Sequence, residues 1–233
     1  MIRRTLLAAL IFSCHLLAGA AMAQTAVEVR VAASTDDAMT ETGSVIYLTE
    51  GLSEFKSAYL SNGFRFLNVT VPQGSTIDSA VIFFTTNEAS SGAVTLTIVG
   101  EDVDDAATFT TYANYSGRSR TTATQSWAIA TGDKWTTQVT DGKQSVDFKS
   151  VVQEITDRDG WASGNDMVIM IDYTSGTGQR NTYTYNASAA LAPKLRIVYS
   201  SGGAPATDLN SRGNQSKVGV RGHQSGSSKR GTN

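Results

Sequence analysis

Six aromatic residues in polar, threonine-rich stretches, Tyr112, Tyr115, Trp127, Trp135, Tyr183 and Tyr185, carry the chemistry most open to a ligand. A ring face accepts the C–H face of a pyranose while nearby polar groups bond its hydroxyls, a contact worth about 1–3 kcal/mol. Arg118 and Arg120, close together in the same region, suit a carboxylate or sulfate on an acidic sugar, because a guanidinium forks onto two oxygens. The competing use of each ring is burial, and that of each arginine is a salt bridge to a neighbouring acid.

Two acidic clusters offer oxygen ligands: Asp36 and Asp37 with Glu41, and Glu101 and Asp102 with Asp104 and Asp105. Calcium takes about six to eight such ligands, so structural calcium is the cofactor these residues allow. Neither cluster has the spacing and glycine of an EF-hand, and a solvated acidic loop is the alternative. No residue set spells out a reaction. Cys14, the only cysteine, and His15 fall in the leader described below, which leaves His223 as the sole histidine. Thiolate nucleophiles, multi-histidine zinc sites and Ser-His-Asp triads therefore lack their parts. Paired carboxylates could cut a glycosidic bond, but nothing in the sequence fixes their separation, and the expectation is a protein that is not an enzyme.

The elements that would position these residues are mostly strands. Residues 1–23 come first, with Arg3 and Arg4, an apolar run from Leu6 to Leu17, and Ala21-Met22-Ala23. This reads as a secretory signal cleaved after Ala23, too short to span a bilayer. The expected location is secreted: extracellular, at the cell surface or in the periplasm, with no transmembrane segment after cleavage. Residues 24–200 hold 12 Lys and Arg against 20 Asp and Glu, a net charge of −8, and suit one domain. Residues 201–233 hold five basic residues against Asp208 and are rich in Gly and Ser, a composition that predicts a disordered basic tail with no specific nucleic-acid recognition.

Within the body, the alternation of Val27, Val29 and Val31 predicts a peripheral strand over 26–32, and SVIYLT a short one over 44–49. Residues 34–43 read as a polar turn and 53–62 as a connector. GFRFLNVTVPQGSTIDSAVIFFTT, residues 63–86, holds two apolar runs around Pro72-Gln73-Gly74-Ser75 and predicts two paired central strands, with a change of apolar phase between Phe66 and Leu67. Further strands are expected at Val94 to Ile98, Met167 to Ile171, Thr182 to Tyr185 and Lys194 to Tyr199. Between Ser145 and Gly160, Phe148, Val151, Val152 and Ile155 recur at helical spacing, which predicts an amphipathic helix over about 146–159 capped by Ser145 or Asp147 and ended at Gly160. The count is about eight or nine strands, an all-β chain built as one jelly-roll-like β-sandwich with one short helix.

The segments GFRFLNVTVPQGSTIDSAVIFF, LTIVGED, RSRTTATQSW, VVQEITDRDGWASGNDMVIMI and APKLRIVY, in that order, resemble a recurrent secreted module. It is similar to the DNRLRE-type and carbohydrate-binding-module-like jelly-roll domains appended to surface proteins and polysaccharide-active enzymes. The resemblance covers most of residues 63–199. It implies a non-catalytic jelly roll whose partner is an extracellular polysaccharide or cell-surface glycan. With no catalytic domain in the same chain, a structural or adhesive envelope or matrix protein acting by self-association or protein contact is the other expectation.

Overall fold

The computed structural model describes residues 23–201 except 88–89 and 136–137. The expected leader and basic tail lie outside the described residues. Twelve strands are β1 (Gln24–Arg30), β2 (Asp37–Glu41), β3 (Val45–Tyr47), β4 (Leu52–Phe55), β5 (Tyr59–Phe66), β6 (Thr76–Phe84), β7 (Val94–Gly100), β8 (Gln125–Ile129), β9 (Lys143–Gln144), β10 (Met167–Gly176), β11 (Arg180–Tyr183) and β12 (Lys194–Ser200). Two helices, α1 (Tyr112–Ser116) and α2 (Lys149–Thr156), interrupt them.

One sheet has the order β1-β12-β6-β9 and the other β3-β2-β5-β10-β7-β8, with a small pair β11-β4 beside them. All pairs are antiparallel. The chain passes repeatedly between the two large sheets, the wiring of a jelly roll. Between them lie Phe64 and Phe66 of β5, Ile82 and Phe84 of β6, Leu96 and Ile98 of β7, Ile169 and Ile171 of β10, and Leu195 and Ile197 of β12. The helix stripe Val151, Val152 and Ile155 enters the same core, and α2 packs on β6 and β7, one strand from each sheet.

The strands flanking the Pro-Gln-Gly-Ser turn are not partners, which corrects the reading of residues 63–86. β5 pairs with β2 and β10, whereas β6 pairs with β12 and β9. The cause lies in residues 67–75. Asn68 takes a left-handed φ of 54° and its amide donates to Asp166 Oδ1 at 2.7 Å, while Val69 exchanges backbone bonds with Gly164 and Asn165. Trp161 Nε1 donates to Val71 O at 2.9 Å. This docked crossover carries the chain to the opposite sheet, so the two apolar runs face each other across the core instead of sharing a ladder.

The polar turn expected over 34–43 is also corrected. After a single 3-10 turn at Ser34–Asp36, residues 37–41 form β2, an inner strand. Its polar groups are satisfied in place: Thr40 Oγ1 donates to Ser61 O at 3.2 Å, and Asp37 Oδ2 accepts from the Tyr185 amide at 2.7 Å. The connector expected over 53–62 is β4 and the first half of β5. Helix α2 begins where Asp147 Oδ1 accepts from the Lys149 amide at 2.9 Å, but it ends at Asp157 in a right-handed conformation. Gly160 is needed for space instead: a Cβ there would meet the Asp104 carboxylate at 2.0 Å.

Met167 to Ile171 is apolar throughout because both faces of β10 are covered. Val168 and Met170 point away from the main core into a second one with Ala38, Val99, Ala106, Phe109 and Tyr115. The β7–β8 connection thus forms a lid over the outer face of the six-stranded sheet. Gly63 allows its close approach, since a Cβ would meet the Tyr115 and Phe109 rings at 2.6 and 2.7 Å.

Burial pushes the Asp37 carboxyl up to about 7, against the opposing Tyr185 hydrogen bond and with a further push from Asp36. The fold therefore favours the protonated form. That stability is fully present below the unfolded value of about 4 and is lost as pH rises through about 7. Asp37→Asn keeps an oxygen for the Tyr185 amide and carries no charge. In urea titrations from pH 4 to pH 8 the native chain is expected to lose, relative to this variant, on the order of 3 kcal/mol; parallel pH profiles would refute the assignment.

Candidate functional site

Trp127 and Trp135 are 5% and 0% exposed, so the sandwich interior takes the rings expected at the surface. They pack with Phe55 and Phe84, the Trp127 ring stacked on Phe84 at 5.9 Å and Trp135 set edge-on to Phe55 at 6.1 Å. Neither presents a face to a ligand. Tyr183, on β11, is half-buried and donates to Gln138 Oε1 at 3.3 Å; Tyr185 is half-buried against the main core.

The acidic residues expected to ligate calcium are engaged otherwise. Asp36 Oδ1 accepts from Arg65 Nη1 at 2.8 Å, and the same guanidinium pairs with Asp166. Glu41 accepts from the Tyr47 hydroxyl at 2.6 Å. Glu101 pairs with Arg118, and Asp102 with Arg158, whose Nε also donates to Asp104 Oδ1 at 2.7 Å. Among the described residues no group of three or more His, Cys, Asp or Glu side chains converges to hold a metal. Guanidiniums lie on Asp36, Glu101 and Asp102, whereas Glu41 accepts from a hydroxyl and Asp37 from an amide, so the five expected ligands are spent on separate partners.

Arg118 is likewise withdrawn from any ligand. Besides Glu101 it bonds Ala107 O at 2.8 Å, Thr108 O at 2.9 Å and Asn114 Oδ1 at 3.0 Å, and its guanidinium lies 4.5 Å from the Phe109 ring centre. It holds the lid in shape. Burial raises the Glu101 carboxyl above its usual range, against the pull of this arginine.

Three expected residues do meet. Tyr112, Tyr115 and Arg120 line a surface depression of about 330 Å³ with Thr40, Leu60, Ser61, Asp172 and Tyr173. Thr111 Oγ1 caps α1 by accepting from the Asn114 amide at 3.1 Å, which sets Tyr112 at the rim and Tyr115 beneath it. The Tyr115 hydroxyl contacts Ser61 Oγ, which donates to Asp172 Oδ1, and Asp172 Oδ2 pairs with Arg120. Because a serine hydroxyl has one proton, Tyr115 is the donor to Ser61. Tyr115 is thus the buried start of the chain, its hydroxyl pushed well above the usual phenol range by burial. The Arg120 and Asp172 side chains are 35% and 30% exposed, leaving hydrogen-bonding capacity at the surface, and Leu60 adds an apolar rim. Rings, a guanidinium and a carboxylate around a shallow hollow suit a polyhydroxylated ligand.

A second hollow of about 440 Å³ was not anticipated. It is lined by Met39, Tyr47, Glu50, Gly51, Leu52, Glu54, Tyr59 and Asn181. Met39 and Thr40, neighbours on β2, line one hollow each, so the two open on opposite faces of that strand. The only sequence signal for it is a tyrosine in each of the segments 44–49 and 53–62, at positions where strand alternation had not been assigned. Asp172 and Tyr173 went unread because they continue the apolar Met167 to Ile171 run and look like its end.

Trp135→Ala is expected to cost about 3–5 kcal/mol in urea unfolding, the loss of a wholly buried indole. An unchanged midpoint would return Trp135 to the surface. Compared with known families and with curated proteins, the chain matches no family model and no curated protein.

Proposed function

We propose that the protein is an exported, non-catalytic module that binds an extracellular or cell-surface polysaccharide in the depression between α1 and the β5–β10 pair. One observation carries this reading: Tyr112 stands over an Arg120–Asp172 pair that is fixed from below by Ser61 and Tyr115. A hexose needs a ring surface and bidentate polar partners for vicinal hydroxyls, and these groups supply both. The jelly-roll wiring is compatible with the resemblance to carbohydrate-binding modules, and the ion pairing of the acidic clusters suits binding more than acid-base chemistry.

A second reading has its own observation. β1 lies at the edge of its sheet, seven residues long and largely exposed, and such an edge can pair with another strand. That favours a structural or adhesive protein assembling edge to edge.

The full chain, run through affinity gels cast with neutral and acidic polysaccharides, tests both. Retardation by one glycan is expected, falling about tenfold in affinity in Tyr112→Ala and in Arg120→Ala while the melting temperature stays within a few degrees. If no glycan retards the chain and sedimentation finds a defined oligomer broken by a proline in β1, the assembly reading replaces the binding one.

A further inference from the structure

The 440 Å³ hollow has a different character from the depression. The β4–β5 turn brings Lys56 back opposite Tyr59, whose amide donates to Lys56 O at 3.0 Å. Lys56 Nζ then lies 4.9 Å from the Tyr59 ring centre and 2.7 Å from Glu54 Oε1. An ammonium sits here on a ring face with a carboxylate beside it, the arrangement in which a cation gains from the ring quadrupole. Tyr47 stands edge-on to Tyr59, with ring centres 6.1 Å apart and planes at 84°.

The charge is unbalanced. Glu41, Glu50 and Glu54 surround the two tyrosines, and Lys56 is the one cation paired with any of them among the described residues. Glu41 is occupied by the Tyr47 hydroxyl and Glu54 by Lys56. Glu50 is exposed and forms no ion pair or side-chain hydrogen bond among the described residues. The surrounding carboxylates push the Tyr47 hydroxyl up to about 12, chiefly through its bond to Glu41.

We propose that this hollow binds a sugar unit bearing a free primary ammonium, with the amine on Glu50 and the ring against Tyr47 and the Gly51–Leu52 floor. The inference rests on the glycan reading above but concerns another face of β2. A sugar fits better than a lysine side chain. The narrow position over Tyr59 that suits an alkylammonium is filled by Lys56 itself, and what remains open is broad, with one unpaired carboxylate at its side.

Isothermal titration of the full chain with a β-1,4-linked glucosamine hexamer, its fully N-acetylated counterpart and polylysine tests it. The free-amine hexamer is expected to bind about tenfold or more tightly than the acetylated one, and Glu50→Gln and Tyr47→Ala each to weaken it about tenfold. Binding should also weaken with added salt, as for an exposed charge pair. Glu50 is exposed, so its variant keeps the fold, which an unchanged melting curve verifies. Equal affinity for both hexamers, or affinity untouched by both variants, overturns the inference; so does polylysine binding as tightly as the glucosamine hexamer. Acetylated or neutral glycans bound only through Tyr112 and Arg120 would overturn it while the glycan reading stood. No binding of any glycan would remove both.

Discussion

Two guanidiniums, those of Arg65 and Arg118, hold the outer layer of this protein onto its sheet. The body carries no cysteine, so no disulfide can do so. Arg65 projects from β5 and joins Asp36 before β2, Asp166 before β10, and Ala106 O of the lid, where its Nε donates at 2.7 Å. Arg118 gathers the lid from within, through Glu101 and three neutral oxygens. Burying such charges costs several kcal/mol each unless their donors are matched; here carbonyls add to what the carboxylates begin, and Arg118 Nε alone of its donors is buried without a partner. Removing one partner of a buried pair strands the other, at about 3–5 kcal/mol. The lid is therefore held to one arrangement more firmly than hydrophobic contact alone would hold it.

That arrangement decides what reaches the surface. With the lid down, Phe109 and Tyr115 lie on Gly63, the second core closes over Val168 and Met170, and α1 turns Tyr112 outward. Asp172 follows the buried run of β10 at the point where the lid no longer covers the strand. Its carboxylate emerges beside Arg120, which leaves the lid for β8. The depression is thus the edge of the second core, where apolar cover gives way to paired charges.

The sequence reading succeeded where periodicity reports burial directly. The alternating valines of β1, the unbroken apolar runs of β6 and β10 and the helical stripe of α2 each have one physical meaning, and each element formed. It failed where a polar residue is satisfied by a distant partner. Asp37, Thr40 and the Asn62 amide nitrogen are buried within strands with hydrogen-bond partners at Tyr185, Ser61 and Glu54, and no local pattern reveals those partners. The pairing error at residues 63–86 has the same origin: Asn68 turns the chain toward a bond with Asp166, 98 residues away. For the depression, residue type put Tyr112, Arg120 and Trp135 in one group and could not separate the residues that line it from the ring buried in the core. A ring in a polar segment is exposed or buried according to which way its strand faces, and the Thr-rich stretches concealed that parity.

The burial of all three tryptophans leaves tyrosine as the aromatic surface of both hollows. Tyrosine offers a smaller face than indole, yet here its hydroxyl compensates in another way. Tyr47 donates to Glu41 at 2.6 Å, and Tyr115 is tied to Ser61. Each bond fixes a ring from the end opposite its Cβ, so the plane is set before a ligand arrives. A mobile surface ring must give up rotamer freedom on binding, about 0.5–1.5 kcal/mol per side chain, and these rings have largely done so on folding. The cost falls on the stability of the sandwich, which the two cores and the buried ion pairs supply. The same hydrogen bonds that make these rings poor donors make them rigid walls, and a rigid wall favours a stiff partner over a flexible chain, which would have its own freedom to lose.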